Sequence, residues 1–372
     1  MRSLVSEAQR DPRAPGGDHF PPEVGQASVA GSLTVRPVTD ADYDAWNRFV
    51  RVHPEGTFFH LAEWQKVLRR AFGHPTHYLV AEEDREIRGV LPLAEVKSLL
   101  FGHALVSTPF CVYGGILALD EPAFAVLEAA ACALAHKLRV DHLEMRNRRR
   151  RHPAWPCKDL YVTFRKTISE DAETNMLAIP RKQRAMVRKG IKEGLHAEVD
   201  ERVDRNYAMY SESLRNLGTP VFSKKYVEIL KETFGGACDI VTILKDGRPV
   251  ASVLNFYFRD EVLPYYGGGT QQAREVAGND FMYWQVMERA RLKGCRVFDY
   301  GRSKRGTGAY DFKTYWGFEP EPLYYEYYLV RRKEMPNLSP TNPQFGKAIE
   351  FWRRLPLWLT QLLGPPVAKY LG

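Results

Sequence analysis

Two stretches of this chain, more than a hundred residues apart, read alike, and that repeat limits the fold more than composition does. Tyr78-Leu79-Val80-Ala81, an acidic turn and Gly89-Val90-Leu91 resemble residues 240–244, Lys245-Asp246-Gly247 and Ala251-Ser252-Val253. Tyr113-Gly114-Gly115 matches Tyr266-Gly267-Gly268, and residues 140–146 match 297–302, each after a helical segment. A repeat this long implies two copies of a whole domain rather than a solenoid of short units. Its order of helices, meandering strands, helix and strand predicts α/β units, each a mixed sheet flanked by helices. The length of 372 residues fits two domains.

Local patterns set the expected boundaries. Tyr43, Trp46, Phe49 and Val50 share one helical face, and a hairpin is expected over 77–82 and 87–97. Helices are expected over 122–138, 172–195, 204–217 and 279–293, and over 223–234 with Ser223 as its N-cap. Strands at 160–164 and 323–330 are expected to close the first and second units. Residues 1–32, polar and rich in Pro and Gly, read as a disordered leader. The first unit then covers 33–165, the second 166–335, and an amphipathic tail 336–372. The leader has no apolar signal segment, and no apolar run approaches the length of a membrane span, so a cytoplasmic protein is expected. Five scattered cysteines without close pairing read as reduced thiols, and the ten histidines form no metal-ligand pattern. The net charge of +8 points to anionic partners.

The stretch densest in chemistry is CRVFDYGRSKRGTGAYDFKTYWGF, beginning at Cys295. An apolar strand runs into Asp299. A glycine-broken basic loop follows with Arg302, Ser303, Lys304 and Arg305, then Tyr310, Asp311-Phe312-Lys313 and Tyr315-Trp316-Gly317-Phe318. Such a strand end gathers cations, backbone N–H groups and an acid, which suits an anionic substrate and proton transfer. The plain alternative is a strand, a polar turn and an aromatic core strand.

The tandem units and this segment resemble the Fem-type (FemAB-like) peptidyl transferases, which consist of two GNAT-like acyltransferase domains, over residues 33–332. The subgroup resembled most is the one associated with exosortase/PEP-CTERM exopolysaccharide systems. The resemblance implies transfer of an aminoacyl or acyl group to an amine on an envelope polysaccharide or peptidoglycan precursor. The co-substrate is aminoacyl-tRNA or acyl-CoA, and no tightly bound cofactor or metal is implied. The family's FK-x(3)-FG lysine falls on Lys313, expected to face developing negative charge. Asp299 is then the base or amine-orienting group, with Tyr315 and Tyr310 as proton relays. Arg302, Ser303, Lys304 and Arg305 are expected to contact substrate. The family's tRNA users often carry a coiled-coil arm, and this sequence has no such heptad run. Where CoA-using relatives carry R/Q-x-x-G-x-G/A, this sequence has an Arg, one Gly and a helix start: Arg274, Gly278 and Asn279.

Other features carry two readings each. Arg181, Arg184, Arg188 and Lys192 form one stripe of a basic helix, widened by Lys182 and Lys189, opposite Val187, Ile191 and Leu195. The stripe reads as a phosphate contact, with tRNA as one partner, or as a solvated face. Arg146–His152 (RNRRRRH) stands where the second unit has its glycine loop; it reads as an anion-attracting rim or as an exposed loop. Tyr266 and Gly267 would let a ligand approach the backbone, or mark a bulge. Asn255 binds substrate or pairs internally. His60, Trp64 and Tyr78 are assigned no role. In the tail, Phe345, Ala348, Trp352, Leu355, Leu359 and Leu362 form an apolar stripe broken by Pro356, with Trp358 beside it and arginines nearby. Two short helices are expected there, either touching the inner membrane or docked on the second unit.

Three functions remain open from sequence: the envelope N-acyltransferase, a CoA-dependent acetyltransferase of an amino sugar or small amine, and a non-catalytic membrane-associated scaffold for an anionic glycolipid. A monomer is expected.

Overall fold

The computed structural model describes residues 33–336 and 346–371. The expected leader and Phe345 lie outside those residues. The first unit begins with β1 (Thr34–Pro37), α1 (Tyr43–Val52) and α2 (Glu63–Phe72). Helix α1 buries Tyr43, Trp46, Phe49 and Val50, the face its spacing predicts. A meander of β2 (Leu79–Glu83), β3 (Glu86–Leu91), β4 (Leu93–Ser98), β5 (Gly102–Ser107) and β6 (Leu117–Ala118) follows. Helix α3 (Glu121–Lys137) starts on Asp120, whose carboxylate accepts the Ala123 N–H. It leads to β7 (His142–Asn147), β8 (Cys157–Lys158) and β9 (Tyr161–Thr167).

The second unit opens with α4 (Ala172–Ala178) and α5 (Arg181–Lys192). The single helix expected over 172–195 is broken because Pro180 lacks an N–H and pushes Ile179 into extended backbone. Then come β10 (His196–Val199), α6 (Asp204–Leu217), α7 (Lys224–Phe234), β11 (Cys238–Lys245), β12 (Arg248–Phe258) and β13 (Glu261–Gly269). Ser223 caps α7 as its sequence predicts. The unit ends with α8 (Gln271–Glu275), α9 (Gly278–Leu292), β14 (Val297–Asp299), β15 (Ser303–Lys304), α10 (Gly308–Tyr315), β16 (Pro320–Pro322) and β17 (Tyr324–Leu329). The segment after the glycine loop is therefore helical, not the core strand of the plain alternative.

The sheets are α/β in the sense the repeat implies, and mixed. In the first unit β1-β2-β3-β6 form one sheet and β4-β5-β7-β17-β8 another; in the second the order is β10-β11-β12-β13-β14-β9-β15. The expected hairpin over 77–97 is divided at Pro92, so that β4 pairs with β5 instead. Each unit has one parallel pair, β5 with β7 and β13 with β14. The strand beside each parallel pair comes from the other unit's stretch of sequence. Strand β17 pairs antiparallel with β7, and β9 pairs antiparallel with β14. This exchange covers two edges that would otherwise be open to aggregation. It also means that the closing strand of each half, read from sequence as local, closes the other half.

An aromatic core fuses the halves. Phe58 of the first unit stacks on Phe256 at 4.4 Å and lies 4.6 Å from Phe234, ring centre to ring centre. Trp64 and Tyr78, both fully buried, belong to this core.

The tail forms α11 (Gly346–Arg354) and α12 (Leu357–Ala368), the two helices that Pro356 predicts. It docks mainly on the second unit, and its end reaches the first, where the Lys369 carbonyl lies 2.7 Å from His74 Nε2. A Cβ on Gly364 would stand 2.8 Å from the Val221 carbonyl, and Gln361 donates to Ser211 at 2.8 Å. Phe351, Trp358, Leu362 and Leu363 remain exposed. Among the described residues no helix is long and apolar enough to cross a membrane.

Candidate functional site

The end of β14 places Asp299 in full burial. Its Oδ2 accepts from Arg165 at 2.9 Å and from the Tyr113 hydroxyl at 2.8 Å. Its Oδ1 accepts the Gly301 N–H at 2.8 Å and Thr163 Oγ1 at 3.4 Å. Arg165 reaches from β9 and also binds Glu261, so the exchanged strand supplies the counter-ion. Paired and hydrogen-bonded in this way, a buried carboxylate is tolerated.

Lys313 projects from α10 into the same strand end. Its Nζ donates to the carbonyls of Tyr300, Gly301 and Arg302 at 2.7, 3.0 and 3.2 Å. Burial lowers its pKa to about 7, with Asp299 pulling it back up. All three protons of the ammonium are thus given to the loop that follows β14, and the lysine shapes that loop. Trp316 donates to Asp280 at 3.0 Å, beside a Gln183 contact at 2.7 Å, and pins α10 to α9 and α5.

The other motif residues scatter. Arg302 lies over the Tyr161 ring at 4.6 Å and donates to the Tyr325 hydroxyl at 3.1 Å. Ser303 is buried in β15 against β9, Lys304 pairs there with Tyr161, and Arg305 is exposed. Tyr310 packs edge-on to Phe164. Tyr315 is 60% exposed, its ring near Lys182, on the outer side of α10.

The opening lies at the matching strand end of the first unit. Beyond β7 the loop carrying Arg148–Arg151 walls a cleft of about 770 Å³. His60, Tyr113, Asn147, Thr163 and Tyr324 also line it. The Tyr113 hydroxyl lies 2.5 Å from Thr163 Oγ1, and both reach Asp299. The acid read from the motif is therefore one hydrogen bond behind the cleft. Tyr113, Thr163 and Arg165 carry this arrangement, and the sequence analysis gives none of them a role; His60, also assigned none, lines the cleft. The Tyr113-Gly114-Gly115 repeat marked the place: Gly115, at φ +89, leaves room for Asn147, whose Oδ1 would lie 2.2 Å from a Cβ there.

The remaining expected positions lie elsewhere. Asn255 is fully buried and donates to Asp239 at 3.1 Å. The Tyr266 hydroxyl bonds Tyr226, and Gly267 and Gly268 let Val253 and α6 pack closely. Those glycines serve protein packing. Gly278 is covered by Ala273 of α8, 3.2 Å from a would-be Cβ, and Asn279 packs on Gly269. Arg274 is exposed. Helix α5 buries Val187 and exposes Arg181, Lys182, Arg188, Lys189 and Lys192, while Arg184 turns back to the Leu177 carbonyl. Ile191, expected on the buried side, is 51% exposed, because α5 packs against α9 through Gly190. Among the described residues no cluster of His, Cys, Asp and Glu could hold a metal, and the five cysteines are unpaired.

Comparison with known proteins bears on the second unit most directly. Residues 181–314 match the family model described as an acetyltransferase (GNAT) domain. No curated protein matches the chain. Among solved structures the chain resembles FemX, with a TM-score of 0.63 and 14% identity, over 80% of this chain and 98% of that one. It also resembles the C-terminal DUF2156 domain of an Agrobacterium fabrum protein assigned as a lysylphosphatidylglycerol synthetase (TM-score 0.53, 14% identity, 77% and 91% coverage). A tandem GNAT protein from the clavulanic acid biosynthesis pathway gives a TM-score of 0.51 at 12% identity, covering 81% of this chain and 100% of that one. At these identities the likeness is one of fold. The chain thus carries a GNAT domain over residues 181–314, within an architecture shared with FemX and with a tandem GNAT protein.

Proposed function

We propose that the protein is an N-acyltransferase that moves an aminoacyl or acyl group onto an amine of a cell-envelope polysaccharide or peptidoglycan precursor. The observation that carries this reading is the cleft at the end of β7, open on one side and joined through Tyr113 and Thr163 to buried Asp299 on the other. An amine attacking an ester or thioester carbonyl forms the C–N bond and must shed a proton as the C–O or C–S bond breaks. The Tyr113 hydroxyl takes that proton while passing its own to Asp299, and the proton ends on the leaving oxygen or sulfur. Lys313 keeps the 300–302 loop in shape around this acid.

For the donor, the buried start of α9 offers Gly278 under Ala273 and the Asp280 carboxyl, a poor cradle for a pyrophosphate. The exposed cations of α5 suit a phosphate backbone instead. Aminoacyl-tRNA is thus favoured over acyl-CoA. FemX and the DUF2156 domain, the second from a protein assigned as a lysylphosphatidylglycerol synthetase, share the fold on which this reading rests. The exposed Phe351, Trp358, Leu362 and Leu363, with Arg353, Arg354 and Lys369 nearby, favour a tail resting on an anionic membrane surface.

Calorimetric titration with charged tRNA, uncharged tRNA and acetyl-CoA tests the donor. Selective binding of the charged tRNA is expected. Saturable binding of acetyl-CoA alone would make the protein an acetyltransferase. Binding of none would remove both donors.

A further inference from the structure

The cleft wall has an unusual electrostatic design. Three of its four arginines are matched with carboxylates on the cleft's other faces: Arg148 with Glu321 at 3.8 Å, Arg149 with Glu55 at 3.3 Å and Arg151 with Glu121 at 2.9 Å; Arg150 donates to the Pro153 carbonyl at 3.0 Å. These pairs are substantially exposed, and exposed pairs are individually weak, on the order of 0–1 kcal/mol. A purely anionic ligand would capture the arginines and strand the acids. A ligand carrying both signs offers an anion to the arginines and a cation to the acids they release, so it strands fewer charges than a purely anionic one.

The wall is also built rather than loose. Glu326, fully buried on the exchanged strand β17, accepts Asn147 Nδ2 at 2.6 Å, the His152 N–H at 2.8 Å and the Arg151 N–H at 3.2 Å. It also bonds His152 Nδ1 at 3.1 Å, while the imidazole stacks on Trp155 at 3.9 Å. Both ends of the arginine loop are thereby anchored before any ligand arrives.

The inner wall adds an uncharged donor. His60 is 1% exposed, and its Nδ1 accepts the Thr57 N–H, which leaves the proton on Nε2. That Nε2 makes no hydrogen bond of good geometry, although the Gly114 and Gly115 backbone lies close enough to act on the ring. Burial keeps the ring neutral, with its pKa lowered to about 3.

We infer that the cleft is a preorganised site for a compact zwitterion, an amine-bearing glycosyl phosphate. Its phosphate replaces the carboxylates on the arginines, its ammonium replaces the arginines on Glu55 and Glu321, and a ring oxygen accepts from the inner wall. This inference rests on the acyl-transfer reading only in taking the amine as the acceptor.

Three probes separate the possibilities by calorimetry on the full-length protein: glucosamine 1-phosphate, N-acetylglucosamine 1-phosphate and glucosamine. Glucosamine 1-phosphate is expected to bind with a Kd at least tenfold below either of the others. Arg148→Ala should weaken both phosphates and leave glucosamine unchanged, and Glu321→Gln should weaken only the two amines; Glu321 is exposed and Arg148 is 34% exposed over the Tyr113 ring, so urea titration of each variant checks that folding is retained. Equal binding of the N-acetylated phosphate, equal binding of glucosamine, or no saturable binding of glucosamine 1-phosphate overturns the inference. Transfer assays on the same samples keep the two claims apart. Binding without acylation leaves the zwitterion site standing and removes the acyl-transfer reading. Acylation of other amines without this binding does the reverse.

Discussion

The ends of β14 and β7 occupy matching places in the two halves, yet one is filled and the other open. At β14 the acid and the lysine face inward: Asp299 has four donors, and the Lys313 ammonium has three carbonyls. At β7 the charges face a cleft of about 770 Å³ and pair loosely across it. The difference teaches that a dense run of Gly, Arg, Lys and Asp has two causes. Buried charges need many partners close in sequence, and so do substrates. Here the denser motif largely satisfies itself, and the sparser loop lines the opening.

The sharpest way to break this comparison is Asp299→Ala. It leaves the part-buried Arg165 with Glu261 alone, and a loss of about 3 kcal/mol in unfolding free energy is expected. Urea titration checks it, and a loss under about 1 kcal/mol would mean that the β14 end is not self-satisfied. Tyr113→Phe tests the link between the two ends. A fall in kcat of roughly 100-fold, about 2.7 kcal/mol in barrier, is expected with little change in donor affinity. An unchanged kcat would cut the cleft off from Asp299.

Lys313→Met comes next, at about 2 kcal/mol of stability, since three buried carbonyls lose their donor. Its pH dependence has a definite sign. The folded pKa of about 7 lies below the ordinary 10.5, so between these values the unfolded chain holds the proton more often. The cost of burying the ammonium is fully present below pH 7 and is relieved as pH rises toward 10.5. Wild type should therefore gain stability relative to K313M between pH 7 and pH 10 in paired denaturant titrations. A flat or falling difference would show that Lys313 is not desolvated. The smallest effect is Tyr315→Phe. With the ring 60% exposed, a change within about 0.5 kcal/mol and an unaltered kcat are expected. A large fall in kcat would return the site to the outer face of α10.

Much of the fold was legible because it depends on short-range pattern. The buried face of α1, the Ser223 cap and the Lys245-Asp246-Gly247 turn between β11 and β12 follow from spacing and turn chemistry within a few residues. The break at Pro180 was also written there, and the helical pattern on either side obscured it. The site was less legible. Asp299 and Lys313 were visible as residue types, but the partners that define their state are far away: Arg165 is 134 residues from Asp299 and Tyr113 is 186. His60 reads as an ordinary histidine until Thr57 and the cleft are placed around it.

By itself the sequence determined a duplicated α/β chain, its helical faces, most of its turns and the two-helix tail, because hydrophobic period and backbone restriction act locally. Only the tertiary structure decided which half each closing strand joins, since β9 and β17 read alike as apolar strands and pairing is set by which sheet edge lies open. That exchange delivers Arg165 to one strand end and Glu326 to the other. It decides which end is sealed by ion pairing and which holds an arginine loop open, because electrostatic partners depend on distance in space and not along the chain.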